Sequence, residues 1–109
     1  MELAAATYTL THNFPKSEVF GLSGQLQRAA VSIPSNIAEG HARDSTKEFL
    51  RFVSIAMGSL AELETQLILS NTLNYIDETA LGNALGKTGE IGRMLRGLQS
   101  SLKAKLPNP

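Results

Sequence analysis

The sequence contains no cysteine among its 109 residues. Disulfide bonds, thiolate metal sites and thiol nucleophiles are therefore excluded, which agrees with a reducing compartment. We find no apolar run approaching the roughly 18 residues that a membrane-spanning helix needs. The start of the chain, Met1-Glu2 followed by alanines, lacks the basic region of a signal peptide. We therefore expect a cytoplasmic protein that makes no membrane contact.

The chain also has no net charge, because 10 Lys and Arg balance 10 Asp and Glu. This balance argues against an electrostatic attraction for nucleic acid that extends over the whole chain. The charges are unevenly distributed, however. Residues 91–109 contain Arg93, Arg96, Lys103 and Lys105 and no acidic residue. The C-terminal end is therefore locally basic.

Signatures of catalysis and of metal binding are missing as well. The two histidines, His12 and His41, do not form the Glu-x-x-His pairs of di-iron bundles, and the sequence has no phosphate loop or nucleophile elbow. We expect no metal, no cofactor and no enzymatic activity. The enzymatic alternative would use Glu39 or Glu62 as a base and would require a small-molecule pocket.

Helical periodicity dominates what is present, and the apolar content of 42% suffices for one folded domain. A short first helix is predicted over residues 2–12. The second begins near Pro15-Lys16 and ends near Gly40. The third begins at a capping box, Ser45 to Glu48, and ends near Asn71, with apolar residues at heptad spacing. Asp77 is the predicted N-cap of the fourth.

These patterns predict an all-α fold, an antiparallel up-down four-helix bundle that forms a single domain over residues 1–109. The first helix is only about 16 Å long at 1.5 Å per residue. One end of the bundle should therefore lack a fourth wall, unless a partner subunit or an N-terminal extension supplies it.

The stretch SIPSNIAEGHAR, Ser32 to Arg43, carries a polar stripe beside the apolar face of the second helix. Pro34 removes one backbone hydrogen bond there, which predicts a kink. One interpretation is a kinked helix with a satisfied polar edge; the other is a recognition or assembly surface. The residues assigned to this stripe, with one from the third helix, are Gln25, Ser32, Pro34, Asn36, Glu39 and Glu62.

Glycines are the unusual feature of the fourth helix, where Gly82, Gly86 and Gly89 share one face with Arg93 and Arg96. Each glycine costs about 1 kcal/mol relative to alanine in a helix interior. The face is either a poorly optimised surface or a place of close approach between helices, within or between subunits.

Several motifs together resemble one known family. They are Phe14-Pro15-x-x-Glu18, the run from Gln25 to Ala29, the run from Ser32 to Gly40, and Gly58-Ser59-x-x-Glu62-Leu63-Glu64. The chain resembles, over about residues 3–102, the four-helix-bundle proteins encoded in intervening sequences of bacterial 23S ribosomal RNA genes. That family includes the accessory variability determinant proteins of diversity-generating retroelements.

The resemblance implies a homo-oligomer, typically a pentamer around a central pore. In the retroelement branch it implies a reverse transcriptase partner and binding of RNA or DNA through a basic surface. It implies no catalytic residue. The cations of this chain that could contact nucleic acid are Arg28, Arg43, Lys47, Arg51, Arg93, Arg96, Lys103 and Lys105. The alternative is a homo-oligomeric scaffold for a protein partner, with no nucleic-acid role.

Overall fold

A computed structural model describes residues 1–107, and within that range all regular structure is helical. The elements are α1 (Glu2–Thr11), a 3₁₀ turn (Lys16–Glu18), α2 (Leu22–His41), α3 (Thr46–Thr72) and α4 (Glu78–Ala104). Helix α1 packs on α2, α2 on α3 and α3 on α4, in a bundle of 50 × 23 × 21 Å. The predicted all-α fold with a short first helix is confirmed.

Helices α3 and α4 begin at the predicted N-caps, Ser45 and Asp77. The hydroxyl of Ser45 accepts a 3.2 Å hydrogen bond from the Glu48 amide, and the Asp77 carboxylate accepts one of 2.8 Å from the Ala80 amide. The capping box is only half formed, because the Glu48 carboxylate accepts from Arg51 instead of from the Ser45 amide. Both caps satisfy backbone donors that the first helical turn leaves free.

The heptad of α3 forms the centre of the core, as its spacing predicts. Its inward residues meet apolar side chains from α2 and α4, and each fully buried leucine contributes about 2 kcal/mol. The buried core residues of the three long helices include Leu26, Ala30, Ile33, Val53, Ala56, Leu60, Leu63, Leu67, Leu95 and Leu102.

The predicted start of α2 is wrong by about six residues. The chain makes one 3₁₀ turn after Pro15, leaves helical geometry at Gly21 (φ −104°, ψ −117°), and enters α2 at Leu22. The carboxylate of Glu18 explains the break, because it accepts hydrogen bonds from the Leu22 amide (3.3 Å) and from the Tyr75 hydroxyl (2.8 Å). A contact from the distant α3–α4 linker thus overrides the local helical pattern.

Helix α1 packs on α2 through apolar residues such as Ala4 and through one hydrogen bond of Thr11. The hydroxyl of Thr11 donates to the carbonyl of Thr7 (3.0 Å) and accepts from the Gln27 amide (2.9 Å), although Thr11 is buried. With 10 residues against the 20 of α2, α1 covers only part of the length of its neighbour.

Membrane-spanning potential is the second point on which the sequence interpretation needs correction. Helix α3 contains an 18-residue window of mean hydropathy 1.3, so it is long and apolar enough to cross a membrane by length and composition alone. Core helices of bundles pass the same test. The buried residues of α3 pack against α2 and α4.

Candidate functional site

Five of the eight cations predicted to contact nucleic acid lie at one end of the bundle, where α2 ends, α3 begins and α4 ends. This basic end comprises the exposed residues Arg43, Lys47, Arg51, Lys103 and Lys105. Three acids, Glu39, Asp44 and Glu48, lie in the same region, which leaves five positive against three negative side chains. The opposite end, residues 12–22 and 70–82, has one Lys against three acids. The neutral chain is therefore electrically polar along its length.

Two arginines of the basic end are held by acids and by one aromatic ring. Arg43 pairs with Glu39 at 2.6 Å and Arg51 with Glu48 at 2.9 Å. Their guanidinium carbons lie 5.1 Å and 4.5 Å from the ring centre of Phe52, which is within cation–π range. The hydrogen bond and charge of Arg51 lower the pKa of Glu48, and those of Glu48 raise the pKa of Arg51. Because both ion pairs are exposed, they orient the arginines and add little stability.

The three lysines of the basic end are available for a ligand. Within residues 1–107, Lys47, Lys103 and Lys105 form no ion pair with a carboxylate. An ammonium on a flexible stem can contact a phosphate as a point charge. The chemistry of this end is thus suited to a polyanion.

Arg93 and Arg96 lie away from the basic end, on the exposed face of α4. Their side chains fold back along the helix. The Arg93 Nη1 lies 3.7 Å from the position that a Cβ on Gly89 would occupy. The Arg96 Nη1 lies 3.3 Å from the position of a Cβ on Gly92. Gly92 also approaches Leu60 of α3, whereas a Cβ on Gly82, Gly86 or Gly97 would meet nothing within 4 Å. Close helix approach inside the described chain therefore accounts for Gly92 and not for Gly82 or Gly86.

The polar stripe of α2 joins this helix to α3. The Asn36 amide donates to the carbonyl of Ser32 (2.8 Å) and to its hydroxyl (2.9 Å), and the hydroxyls of Ser32 and Ser59 are 2.8 Å apart. Pro34 lies inside α2 without ending it. Side chains near the proline thus bond to a backbone carbonyl and to a neighbouring helix, although the carbonyl they contact is that of Ser32 and not that of Ala30, which Pro34 leaves without its amide donor; Glu39 differs, because it pairs with Arg43. The kink itself stays a prediction.

A polar cleft of about 400 Å³ lies on the same side, between α2 and α3. Arg28 folds back over Gly24, with its Nη1 3.0 Å from where a Cβ on Gly24 would be. Across the cleft, Glu62 is exposed and forms no ion pair within residues 1–107. The Gln66 Oε1 is buried there without a hydrogen-bond partner. The residues lining the cleft are Gln25, Arg28, Ala29, Ser32, Ser59, Glu62 and Gln66.

The open wall predicted from the short first helix is present as an apolar groove of about 730 Å³. It runs between α2 and α4 beyond the start of α1. Met1 lies at one end of the groove and His41 of α2 at the other, and Ile91, Met94 and Leu98 form the α4 wall. Met94 is 64% exposed in this groove. The groove is therefore the part of the bundle surface that the short α1 leaves uncovered.

Metal ligands do not assemble in the part of the chain that the structure describes. No three His, Asp or Glu side chains of residues 1–107 come close enough to hold an ion. His12 caps the end of α1, and His41 packs edge-on against Phe49 at 5.8 Å. The Glu64 carboxylate accepts a 2.7 Å hydrogen bond from the buried Thr88. These groups have structural partners.

Sequence reasoning missed three contributors to these surfaces. The heptad spacing of the third helix gives Phe52 only as an apolar position, although two arginines lie over its ring. Ser59 and Gln66 complete the cleft, and only the Gly58-Ser59 motif in the sequence pointed to the first of them. The position of Gln66, one turn after Glu62 on α3, could have indicated the second.

Comparisons with known proteins agree with this architecture. The family model of the 23S rRNA-intervening sequence protein matches residues 1–97. A crystal structure of a protein of unknown function from the S23 ribosomal protein family of Bacteroides thetaiotaomicron is similar, with 26% sequence identity and a TM-score of 0.80. The alignment covers 90% of this chain and 92% of that one. The search of curated proteins found no match. Neither description names a reaction. Because the family model spans most of its length, the chain belongs to the 23S rRNA-intervening sequence protein family.

Proposed function

We propose that this chain is a non-enzymatic cytoplasmic accessory protein that assembles into a homo-oligomer, a pentamer, and binds RNA or DNA through its basic end. The observation that carries this proposal is the gathering of five cations from three separate segments at one end of the bundle. A reverse-transcriptase-like enzyme is the partner that the family resemblance suggests.

Symmetry would compensate for the neutral net charge. A ring whose axis follows the long dimension of the bundle repeats the basic end once per subunit on the same side. Each phosphate neutralised by a Lys or Arg releases counterions, and the contributions of separate contacts add. A ring of weakly basic ends can therefore hold a polyanion that one subunit binds poorly.

The alternative is a homo-oligomeric scaffold that binds a protein partner and no nucleic acid. The formal net charge of zero favours it, because proteins that bind nucleic acid nonspecifically are usually basic. The two proposals differ in the salt dependence of RNA binding.

The deciding experiment measures binding of structured RNA and duplex DNA across a salt series, with oligomeric mass checked by light scattering. The double variant Lys103→Ala/Lys105→Ala should weaken binding and lower the slope of log K against log salt by about one for each phosphate that is no longer neutralised. The control Lys16→Ala/Lys87→Ala removes the same charge away from the basic end. Absence of binding at low salt by an intact oligomer would refute the nucleic-acid role and favour the protein scaffold.

A further inference from the structure

A stripe of α3 is exposed although it carries large apolar side chains. Ile55, Leu69 and Leu73 are 40%, 45% and 44% exposed, and they follow one another at helical spacing together with Glu62 and Gln66. We call these five residues the α3 stripe. Surfaces that mix apolar side chains with a few polar groups are typical of protein–protein contacts.

The polar residues of the α3 stripe lack partners in the described part of the chain. Glu62 has no ion pair within residues 1–107, since Arg28 on the opposite wall of the cleft folds back over Gly24. One turn further, the Gln66 Oε1 is buried without a hydrogen-bond donor. The Gln66 acceptor lies inside the chain, so the accessible features of this surface are the Glu62 carboxylate without an ion pair and the exposed apolar side chains around it.

A second stripe, on α4, has the complementary properties. We call Gly82, Gly86, Gly89, Arg93 and Arg96 the α4 stripe. Gly82 and Gly86 leave a smooth backbone facing open space, and the guanidiniums of Arg93 and Arg96 lie along the helix over Gly89 and Gly92. Neither arginine forms an ion pair with an acid in residues 1–107. One stripe thus has protruding side chains and an unpaired carboxylate, and the other has a flat surface and two unpaired cations.

The two stripes match in position along the bundle. Thr88 bonds to Glu64 at 2.7 Å and Gly92 approaches Leu60, so this part of α4 lies level with α3 from Leu60 to Glu64. Both guanidiniums, over Gly89 and Gly92, are therefore at the height of Glu62.

The apolar parts of the stripes match in the same way. The antiparallel register of α3 and α4, continued toward the start of α4, places Gly86 beside Gln66 and Gly82 beside Ser70. Leu69 protrudes next to Ser70 and so at the height of Gly82, while Leu73, the C-cap of α3, lies three residues further along.

From this match we infer that the α3 stripe of one copy docks onto the α4 stripe of a second copy, with Glu62 between Arg93 and Arg96 of its neighbour. The inference rests on the self-assembly in the proposed function and identifies its contact surfaces. Equal heights mean that neighbouring copies are related by rotation without translation along the bundle. Because the stripes lie on different helices, each copy has two neighbours, so the contact is heterologous and closes a ring.

The contact also separates the eight candidate cations by role. Arg93 and Arg96 hold the ring together, while the lysines of the basic end remain free for a polyanion. In the ring all basic ends point the same way, which gives the multiplied charge that the proposed function needs.

Charge reversal tests the contact directly. Glu62→Arg should increase the dissociation constant of the oligomer at least tenfold, measured by light scattering over a dilution series, and Arg93→Glu/Arg96→Glu should do the same. The triple variant that combines both changes should recover assembly. Glu90→Arg, a reversal on α4 outside the stripe, is the matched control. An oligomer that is unchanged by the reversals, or one that the triple variant fails to restore although it is folded by circular dichroism, would overturn the contact.

Cross-linking gives an independent readout, because the natural chain has no cysteine. A variant with Leu69→Cys and Gly82→Cys should form a covalent ladder of multimers on mild oxidation, whereas Leu69→Cys with Gly97→Cys should not. Equal ladders from both variants would overturn the contact.

The failures of the two proposals are distinguishable. A monomeric wild-type protein would refute both the self-assembly and this contact. An oligomer that loses RNA binding but keeps its mass in Arg93→Glu/Arg96→Glu would show that the arginines face the ligand, and would overturn the contact alone.

Discussion

The hydroxyl of Tyr75 donates a 2.8 Å hydrogen bond to the carboxylate of Glu18, which lies 57 positions earlier in the chain. The ring of Tyr75 also packs against buried Phe14, with the ring centres 5.2 Å apart. The loop between α3 and α4 is thereby tied to the turn before α2. The same carboxylate accepts from the amide of Leu22, the first residue of α2.

The hydrogen bond between Tyr75 and Glu18 predicts that the stability of the fold depends on pH. The hydrogen bond to Glu18, partial burial and the negative charge of Glu18 all raise the pKa of Tyr75. Because the folded-state pKa is the higher one, the stabilisation is complete below the ordinary tyrosine value of about 10 and is lost as pH rises through the folded value. In a Tyr8→Phe background, which leaves Tyr75 as the only phenol, absorbance should show Glu18→Ala shifting its titration to lower pH. An unchanged midpoint would contradict this coupling.

The N-cap of α4 predicts a measurable loss of stability on substitution. Asp77→Ala removes the acceptor for the Ala80 amide and should lower the free energy of unfolding by about 1 kcal/mol. Asp44→Ala is the matched control, because Asp44 is exposed and lies outside any helix. Urea denaturation of both variants measures the difference, and equal midpoints would show that the cap contributes nothing.

The outlines of α3 and α4 could be predicted from sequence because their signals are local. Ser45 and Asp77 cap the helices that follow them, and the heptad of α3 needs only its own spacing. The start of α2 could not be predicted in this way. The Glu18 carboxylate there also accepts from Tyr75, and a pattern read along residues 14–22 does not contain that contact.

The candidate surfaces also differ in whether a local sequence pattern predicts them. Helical spacing alone placed Ser32 and Asn36 in one stripe, and their hydrogen bonds confirm that they act together. The meeting of Lys103 with Lys47 at the basic end follows from the antiparallel pairing of α4 with α3. No local pattern encodes that proximity, although the bundle prediction implied it.

Glycines predict opposite effects according to their surroundings. A Cβ on Gly40 would lie 2.7 Å from the Cβ of Phe52 and 2.9 Å from a ring carbon of Phe49, so Gly40→Ala should cost about 1–3 kcal/mol of unfolding free energy through overpacking. Gly97→Ala, on the exposed face of α4 where a Cβ meets nothing within 4 Å, should instead stabilise by about 0.5–1 kcal/mol. Thermal unfolding of the two variants checks the signs. Gly40 is therefore a packing residue as well as a residue near a helix end, and stabilisation by Gly40→Ala would disprove that role.

Ser32 is the central residue of the polar contact between α2 and α3, so its substitution should affect both Asn36 and Ser59. Its hydroxyl lies 2.9 Å from the Asn36 amide and 2.8 Å from the hydroxyl of Ser59. Ser32→Ala leaves two polar side chains without that partner in a partly buried position, so we expect a loss of about 1–2 kcal/mol in the free energy of unfolding. Ser35→Ala, an exposed serine of the same helix, should change it by less than about 0.5 kcal/mol.

A double-mutant cycle distinguishes the hydrogen bond between Ser32 and Ser59 from an effect of helix propensity. If Ser32 and Ser59 bond across the two helices, the losses caused by Ser32→Ala and Ser59→Ala should sum to more than the loss in the double variant. A coupling above about 0.5 kcal/mol is expected for groups in direct contact. Strictly additive losses would mean that the serines act independently. The polar stripe would then be a solvated helix edge, and the link it provides between α2 and α3 would have to come from their apolar residues alone.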